Sequence, residues 1–196
     1  MTRKVGSFAE IEAEFNAFVG RIVYATMVTV DAQNRPRTRV LIPVWENVDG
    51  HPLGWLATYK TPVKAAHIAR NPHVNFSYWA PGHNSVAVDA TARWVDDPQT
   101  RQRIWNLYAR TSPPGAGYHL GQFWRSPDDS QLHIVRLDPW RIQVIRGMDL
   151  RSRIWQIPAE TDGGMPEARP SEEAPGSRRA TLTAGPEVPG RSRISR

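Results

Sequence analysis

Pro36-Arg37-Thr38-Arg39-Val40-Leu41-Ile42-Pro43-Val44-Trp45, then Asp49-Gly50, then Leu53-Gly54-Trp55-Leu56-Ala57-Thr58-Tyr59-Lys60-Thr61-Pro62-Val63-Lys64 is the stretch that decides the fold. Arg37 to Trp45 is rich in β-formers and predicts a strand, and Leu53 to Thr58 predicts its neighbour. Asp49-Gly50 is the turn signal between them. A Tyr-Lys-Thr-Pro corner follows, with Pro62 suited to a first helical turn because its missing N–H is not needed there. The pattern therefore sets Arg39 on a strand and Lys64 at a helix start, with a hairpin between them. A hairpin of this kind brings two basic side chains to one end of a sheet, where a phosphate would fit.

Working outward, Ser7 to Val19 carries an apolar stripe at helical spacing (Phe8, Ile11, Phe15, Phe18, Val19), with Ser7 and Glu10 as a capping box. Arg21 to Val30 predicts a strand. The helix from Pro62 ends at Asn71-Pro72, since a residue before proline avoids the helical region. His73 to Trp79 and Ser85 to Val95 predict alternating strands around a Pro81-Gly82-His83-Asn84 turn. Asp97 to Arg110 predicts a helix capped by Asp96 or Asp97. Leu132 to Leu137 and Arg141 to Ile145 predict strands broken at Asp138-Pro139, and Arg151 to Gln156 a short last one. The sum is a mainly β (β plus α) protein. About six or seven mostly antiparallel strands and two or three peripheral helices suggest a small closed or split barrel.

Composition narrows the function. The 196 residues suggest one domain with extras, and 40% hydrophobic residues, eight of them Trp, are enough for a core. No cysteine is present, which excludes disulfides, thiolate metal sites and thiol nucleophiles. No apolar run reaches the length of a membrane span and no apolar signal core follows the basic start, so a cytoplasmic protein without membrane contact is expected. The net charge is +6, and six of the arginines (Arg169, Arg178, Arg179, Arg191, Arg193 and Arg196) lie late in the chain, among as many acidic residues. That distribution argues against a nucleic-acid partner. After Pro158 aromatic residues vanish and Pro, Gly, Glu, Ser and Arg dominate, so a folded domain over 1–157 and a disordered tail over 158–196 are expected. There is no Gly-x-Ser-x-Gly elbow.

Several of these blocks, in this order, resemble one family. Pro36-Arg37-Thr38-Arg39-Val40-Leu41 resembles the FMN-phosphate strand of the pyridoxamine 5′-phosphate oxidase superfamily, the FMN-binding split barrels. Thr58, then Lys64-Ala65, then Asn71-Pro72-His73-Val74 resembles its next block, and Ser85 falls where that family has a polar flavin contact. The resemblance spans roughly residues 8 to 155. It implies an antiparallel split barrel and an FMN-dependent oxidoreductase acting on a small molecule, as a homodimer with flavin at the interface. It also implies roles. Arg39 and Lys64 would hold the FMN phosphate. Val40, Leu41 and Ile42 would give backbone contacts and an apolar wall, Thr58 and Thr61 hydroxyls or amides, and Ser85 a further polar contact. The true oxidase has a Lys where this chain has Pro43-Val44, a second basic residue at Val63, and a Trp at Ile145. A substrate-phosphate set is missing around Trp105 to Pro114, and Arg151 matches only loosely. Vitamin B6 synthesis is therefore not expected. His119, beside Tyr118, is a candidate for a substrate role, whereas His67 reads as packing or solvent-facing. An F420-dependent reductase of the same fold, which Lys60 and the arginines of the tail would suit, is the alternative, with a non-catalytic flavin- or haem-binding stress protein beyond it.

Overall fold

A computed structural model of the chain describes residues 1–111 and 119–158. The expected tail and Tyr118 lie outside the described residues. The elements are β1 (Thr2–Lys4), α1 (Ala9–Ile22), β2 (Ala25–Val30), β3 (Pro36–Leu41), β4 (Val44–Val48), β5 (His51–Thr58), α2 (Pro62–Arg70), β6 (His73–Trp79), β7 (Ser85–Val95), α3 (Pro98–Thr111), β8 (His133–Arg146) and β9 (Arg151–Gln156), with a single 3-10 turn at Leu120–Gln122. The strands run β1-β9-β8-β7-β6-β2-β3, and β5 joins β8 with β4 beyond it. Every pairing is antiparallel except β1 with β9. β3 and β4 do not pair, so the sheet curls without closing. This is the mainly β split barrel that the residues suggest. Among the described residues no helix is long and apolar enough to cross a membrane.

Four local departures from the sequence reading have physical causes. Arg21 and Ile22 stay in α1, and the chain reverses at Val23 (φ 66°, ψ −57°), where the Tyr24 N–H reaches the Ile22 carbonyl at 2.7 Å. That is a γ-turn of the strained hand, rare for a β-branched residue. The expected strand over 37–45 is cut at Ile42-Pro43, because proline offers no N–H to a ladder. β8 runs unbroken through Asp138-Pro139, and Trp140 is the extra residue of a bulge opposite Asp89 and Ala90. Pro139 is tolerated because β8 changes partners there, from β5 (Gly54–Thr58) to β9 (Arg151–Gln156). At α1, Glu10 reaches back to the N–H groups of Gly6 (2.7 Å) and Ser7 (3.2 Å), while the helix has no side-chain cap from the residue before it.

The Asp49-Gly50 hairpin is a tight two-residue turn between β4 and β5. Both residues have positive φ (52° and 83°) and Val48 faces His51, as in a primed turn. Asp97 caps α3 through the Thr100 N–H at 2.8 Å, as its position predicts.

Two apolar clusters carry the fold. The larger joins Phe8, just before α1, and Ile11 and Phe15 of α1 to the inner faces of β2, β6, β7 and β8. The smaller packs Ile104, Leu107 and Tyr108 of α3 against Trp55, Ala57, Leu120, Trp124 and Ile134. Tyr108 pins the strand break: its hydroxyl bonds the Ile42 carbonyl at 2.7 Å and receives the Ala57 N–H at 3.1 Å.

Gly147 is needed for close approach. A β-carbon there would lie 1.9 Å from the Gly82 carbonyl oxygen, and the Gly147 N–H donates to Asn84 Oδ1 at 2.7 Å. Gly147→Ala is expected to destabilise the protein by roughly 1–3 kcal/mol, the cost typical of overpacking. Urea unfolding measures it, and an unchanged midpoint would show that the 80–84 turn yields freely.

Candidate functional site

The site starts from the register of β2 and β3. Arg39 stands opposite Met27, and Leu41 opposite Ala25. Directly paired residues share a face, so Arg39 points to the core side while Val40 turns outward, 62% exposed. Arg39 Nη2 donates to Thr29 Oγ1 at 2.7 Å, and Thr29 is fully buried. Thr29 Oγ1 lies 2.9 Å from His67 Nδ1 on α2.

Helix α2 starts where Thr61 caps it. The Thr61 hydroxyl accepts the Lys64 N–H at 3.4 Å, with Pro62 in the first turn. Its buried stripe is Lys64, His67 and Ile68, a one-face spacing in which two of three residues are polar. Core faces rarely carry such groups without a use. Lys64 Nζ donates to Thr58 Oγ1 at 2.5 Å and to the Tyr59 carbonyl at 2.9 Å. Burial, and then the charge of Arg39, lower the Lys64 pKa from 10.5 to about 8. Burial likewise lowers the pKa of Arg39.

The structure thus brings Arg39, Lys64 and Thr58 into one cluster, though by a different route from a hairpin. The β4–β5 hairpin does not join them; β2 lies beside β3, and α2 packs on β2. Among the described residues no carboxylate pairs with Arg39 or Lys64, and Arg39 Nη1 is buried without a partner. Arg37 is outside the cluster: it pairs with Asp31 at 3.2 Å. Burial raises the Asp31 pKa, but the Arg35 backbone N–H, the Arg35 guanidinium and the Gln33 N–H outweigh it and hold the carboxyl at about 2.

Beside the cluster lies an open cleft of about 340 Å³, walled by Tyr24, Val40–Ile42, Ala57–Tyr59 and Phe123–Trp124. Thr58 belongs to both, so the cleft continues from the basic cluster. Tyr59 joins the two walls. Its hydroxyl donates to the Phe123 carbonyl at 3.0 Å, and its ring is 5.1 Å from that of Trp124. β3 is an edge strand, paired only to β2 among the described strands. Every second residue of it therefore offers its N–H and C=O away from the sheet.

Ser85 is elsewhere. It opens β7 opposite Trp79 and Ile145. From Arg39 the row runs through Met27 and Phe76 to Val88, three residues along β7 from Ser85. That is roughly 15–20 Å along the sheet. Thr61 is occupied as the α2 cap. His119 is exposed beside a smaller cleft of about 150 Å³ with Trp105 and Tyr108. Lys60 is engaged by Asp96 at 3.0 Å and sits over the Trp94 ring. Sequence reasoning overlooks Thr29, Phe123 and Trp124, and it undervalues His67. The i, i+3 spacing of Lys64 and His67 was the available signal for His67.

Comparisons with known proteins bear on this geometry. The family model described as pyridoxamine 5′-phosphate oxidase matches residues 11–146. No curated protein matches the chain. Among solved structures, a protein from Clostridium acetobutylicum related to general stress protein 26 of B. subtilis (pyridoxinephosphate oxidase family) superposes with a TM-score of 0.60 at 13% identity, covering 76% of this chain and 95% of that one. A pyridoxamine 5′-phosphate oxidase-related, FMN-binding protein from Nostoc punctiforme gives 0.54 at 16%, covering 78% and 99%. General stress protein 26 from Bacillus anthracis gives 0.51 at 17%, covering 71% and 97%. At these identities the structures speak for the fold. The family model spans β2 through β8 and so takes in the whole Arg39–Lys64 cluster: the chain belongs to the pyridoxamine 5′-phosphate oxidase family.

Proposed function

We propose that the protein is an FMN-binding oxidoreductase whose Arg39 and Lys64 hold the cofactor phosphate. The observation that carries this reading is the buried, unpartnered Nη1 of Arg39 beside the buried ammonium of Lys64, with no carboxylate pairing to either among the described residues. Buried polar groups are nearly always satisfied, and two like charges in one buried cluster need a counter-charge. A phosphate monoester at neutral pH supplies close to two negative charges and several acceptor oxygens. Arg39 contributes a planar fork, Lys64 a point charge. The cleft wall of Tyr24, Val40 and Tyr59 suits the planar apolar part of the same molecule. Bound flavin supplies the hydride chemistry, while the protein binds and orients it.

The monoester charge favours FMN over the longer F420. A cofactor that continues beyond its phosphate presents a diester, with one charge rather than two. Lys60, which would suit the acidic extension, is taken by Asp96. Ser85 lies apart from this cluster, and a homodimer with flavin at the interface belongs to the same reading.

FMN at about a hundred times its Kd should stabilise the protein by roughly 2.7 kcal/mol. That corresponds to a melting shift of about 5–10 °C in a domain of this size. Riboflavin, which lacks the phosphate, should shift it far less. Equal shifts, or none with FMN, would sink the assignment.

A further inference from the structure

We infer that Thr29 and His67 are positioning residues that aim Arg39 at the cofactor phosphate; this rests on the FMN reading above. A guanidinium on an edge strand has four rotatable side-chain bonds and much freedom to lose. Here one end of it is fixed. Nη2 donates to Thr29 Oγ1 at 2.7 Å, and Thr29 is 0% exposed on β2. The Thr29 hydroxyl is held in turn by His67 Nδ1 at 2.9 Å, with His67 buried on α2. A hydroxyl has one proton and two lone pairs. It can accept from Arg39 and still bond the imidazole, so the chain Arg39–Thr29–His67 is saturated at both links.

What remains free is Nη1, buried and unpartnered. The same helix carries Lys64 one turn before His67. His67 therefore links the placement of both cations. The helix that presents the ammonium also holds, through Thr29, the orientation of the guanidinium. Preorganisation of this kind raises affinity by removing ordering cost at the moment of binding. It acts on the phosphate alone and not on the rest of the ligand.

The test is FMN and riboflavin titration of the full chain by flavin fluorescence, for Thr29→Val, Thr29→Ser, Arg39→Ala and the Thr29→Val/Arg39→Ala double variant. Valine nearly matches threonine in shape, and apo melting reports whether each variant folds. Thr29→Val is expected to weaken FMN at least roughly tenfold, about 1.4 kcal/mol, with riboflavin unchanged. Thr29→Ser should restore FMN binding, and Thr29→Val should add nothing once Arg39 is gone. His67→Leu should behave as Thr29→Val does. Wild-type FMN affinity in Thr29→Val, or an equal loss for riboflavin or in the Arg39→Ala background, overturns the positioning role and leaves the cradle standing. Wild-type affinity in Arg39→Ala overturns both.

Discussion

On the proposed reading, Arg39→Ala is expected to lower FMN affinity by roughly 30- to 5,000-fold, the 2–5 kcal/mol typical of truncating one partner of a buried hydrogen-bonded charge pair. Two contributions add. The phosphate loses its charge-assisted donors, and Lys64 is left as the single cation facing a doubly charged group. The free protein behaves differently. Among the described residues the Arg39 side chain makes one hydrogen bond, to Thr29, and is otherwise an ion beside a like ion. Its removal breaks the bond to Thr29, at about 1 kcal/mol, and relieves the repulsion on Lys64, so the apo stability should stay within about 1–2 kcal/mol of wild type. Equilibrium dialysis against FMN and urea unfolding of the apo protein separate the two effects. An FMN affinity within threefold of wild type would remove Arg39 from the site.

The second large effect is a pH dependence set by Lys64. Its pKa in the free protein is about 8, against 10.5 for an unconstrained lysine, through burial first and Arg39 second. Below pH 8 the ammonium is present in folded and unfolded states alike, and the folded state bears the full cost of burying it. Between about 8 and 10.5 the unfolded chain binds more protons than the folded one. Apo stability should therefore rise with pH across that window. FMN binding runs the other way. A phosphate dianion draws the proton onto Lys64, so the complex holds a proton that the free protein gives up above pH 8. FMN affinity should fall by up to about tenfold per pH unit there. Titrations across that range read the slope directly. Calorimetry in two buffers of different ionisation enthalpy reads the proton uptake. Lys64→Met should flatten the slope; a slope that persists in that variant would assign it to another group.

Much of the fold was legible because it is written in local signals. Thr61-Pro62 starts α2, Asn71-Pro72 ends it, and Asp49-Gly50 closes the β4–β5 hairpin. The alternation in 73–79 and 85–95 follows the burial of β6 and β7 residue by residue. What the residues could not convey is which strands lie side by side. Arg39 and Lys64 were paired through the hairpin between them, whereas β2, from an earlier part of the chain, mediates the contact. A threonine inside an ordinary β-strand gives no local sign that it will sit under an arginine ten residues on. The aromatic wall of Phe123 and Trp124 was hidden for a similar reason: it depends on the 3-10 turn packing on α3 and on the contact of Trp124 with Tyr59.

The open edge of β3 has one more consequence. An unpaired strand edge is a template on which another chain can add, and through it a route to aggregation. This one is guarded. Pro36 and Pro43 bracket it, and its six residues include Arg37, paired with Asp31, and the inward-turned Arg39. The arginine assigned to the phosphate is thus also a gatekeeper against self-association. Arg39→Ala is therefore expected to scatter more light than wild type at matched concentration while still folded; equal scattering would remove the gatekeeper role.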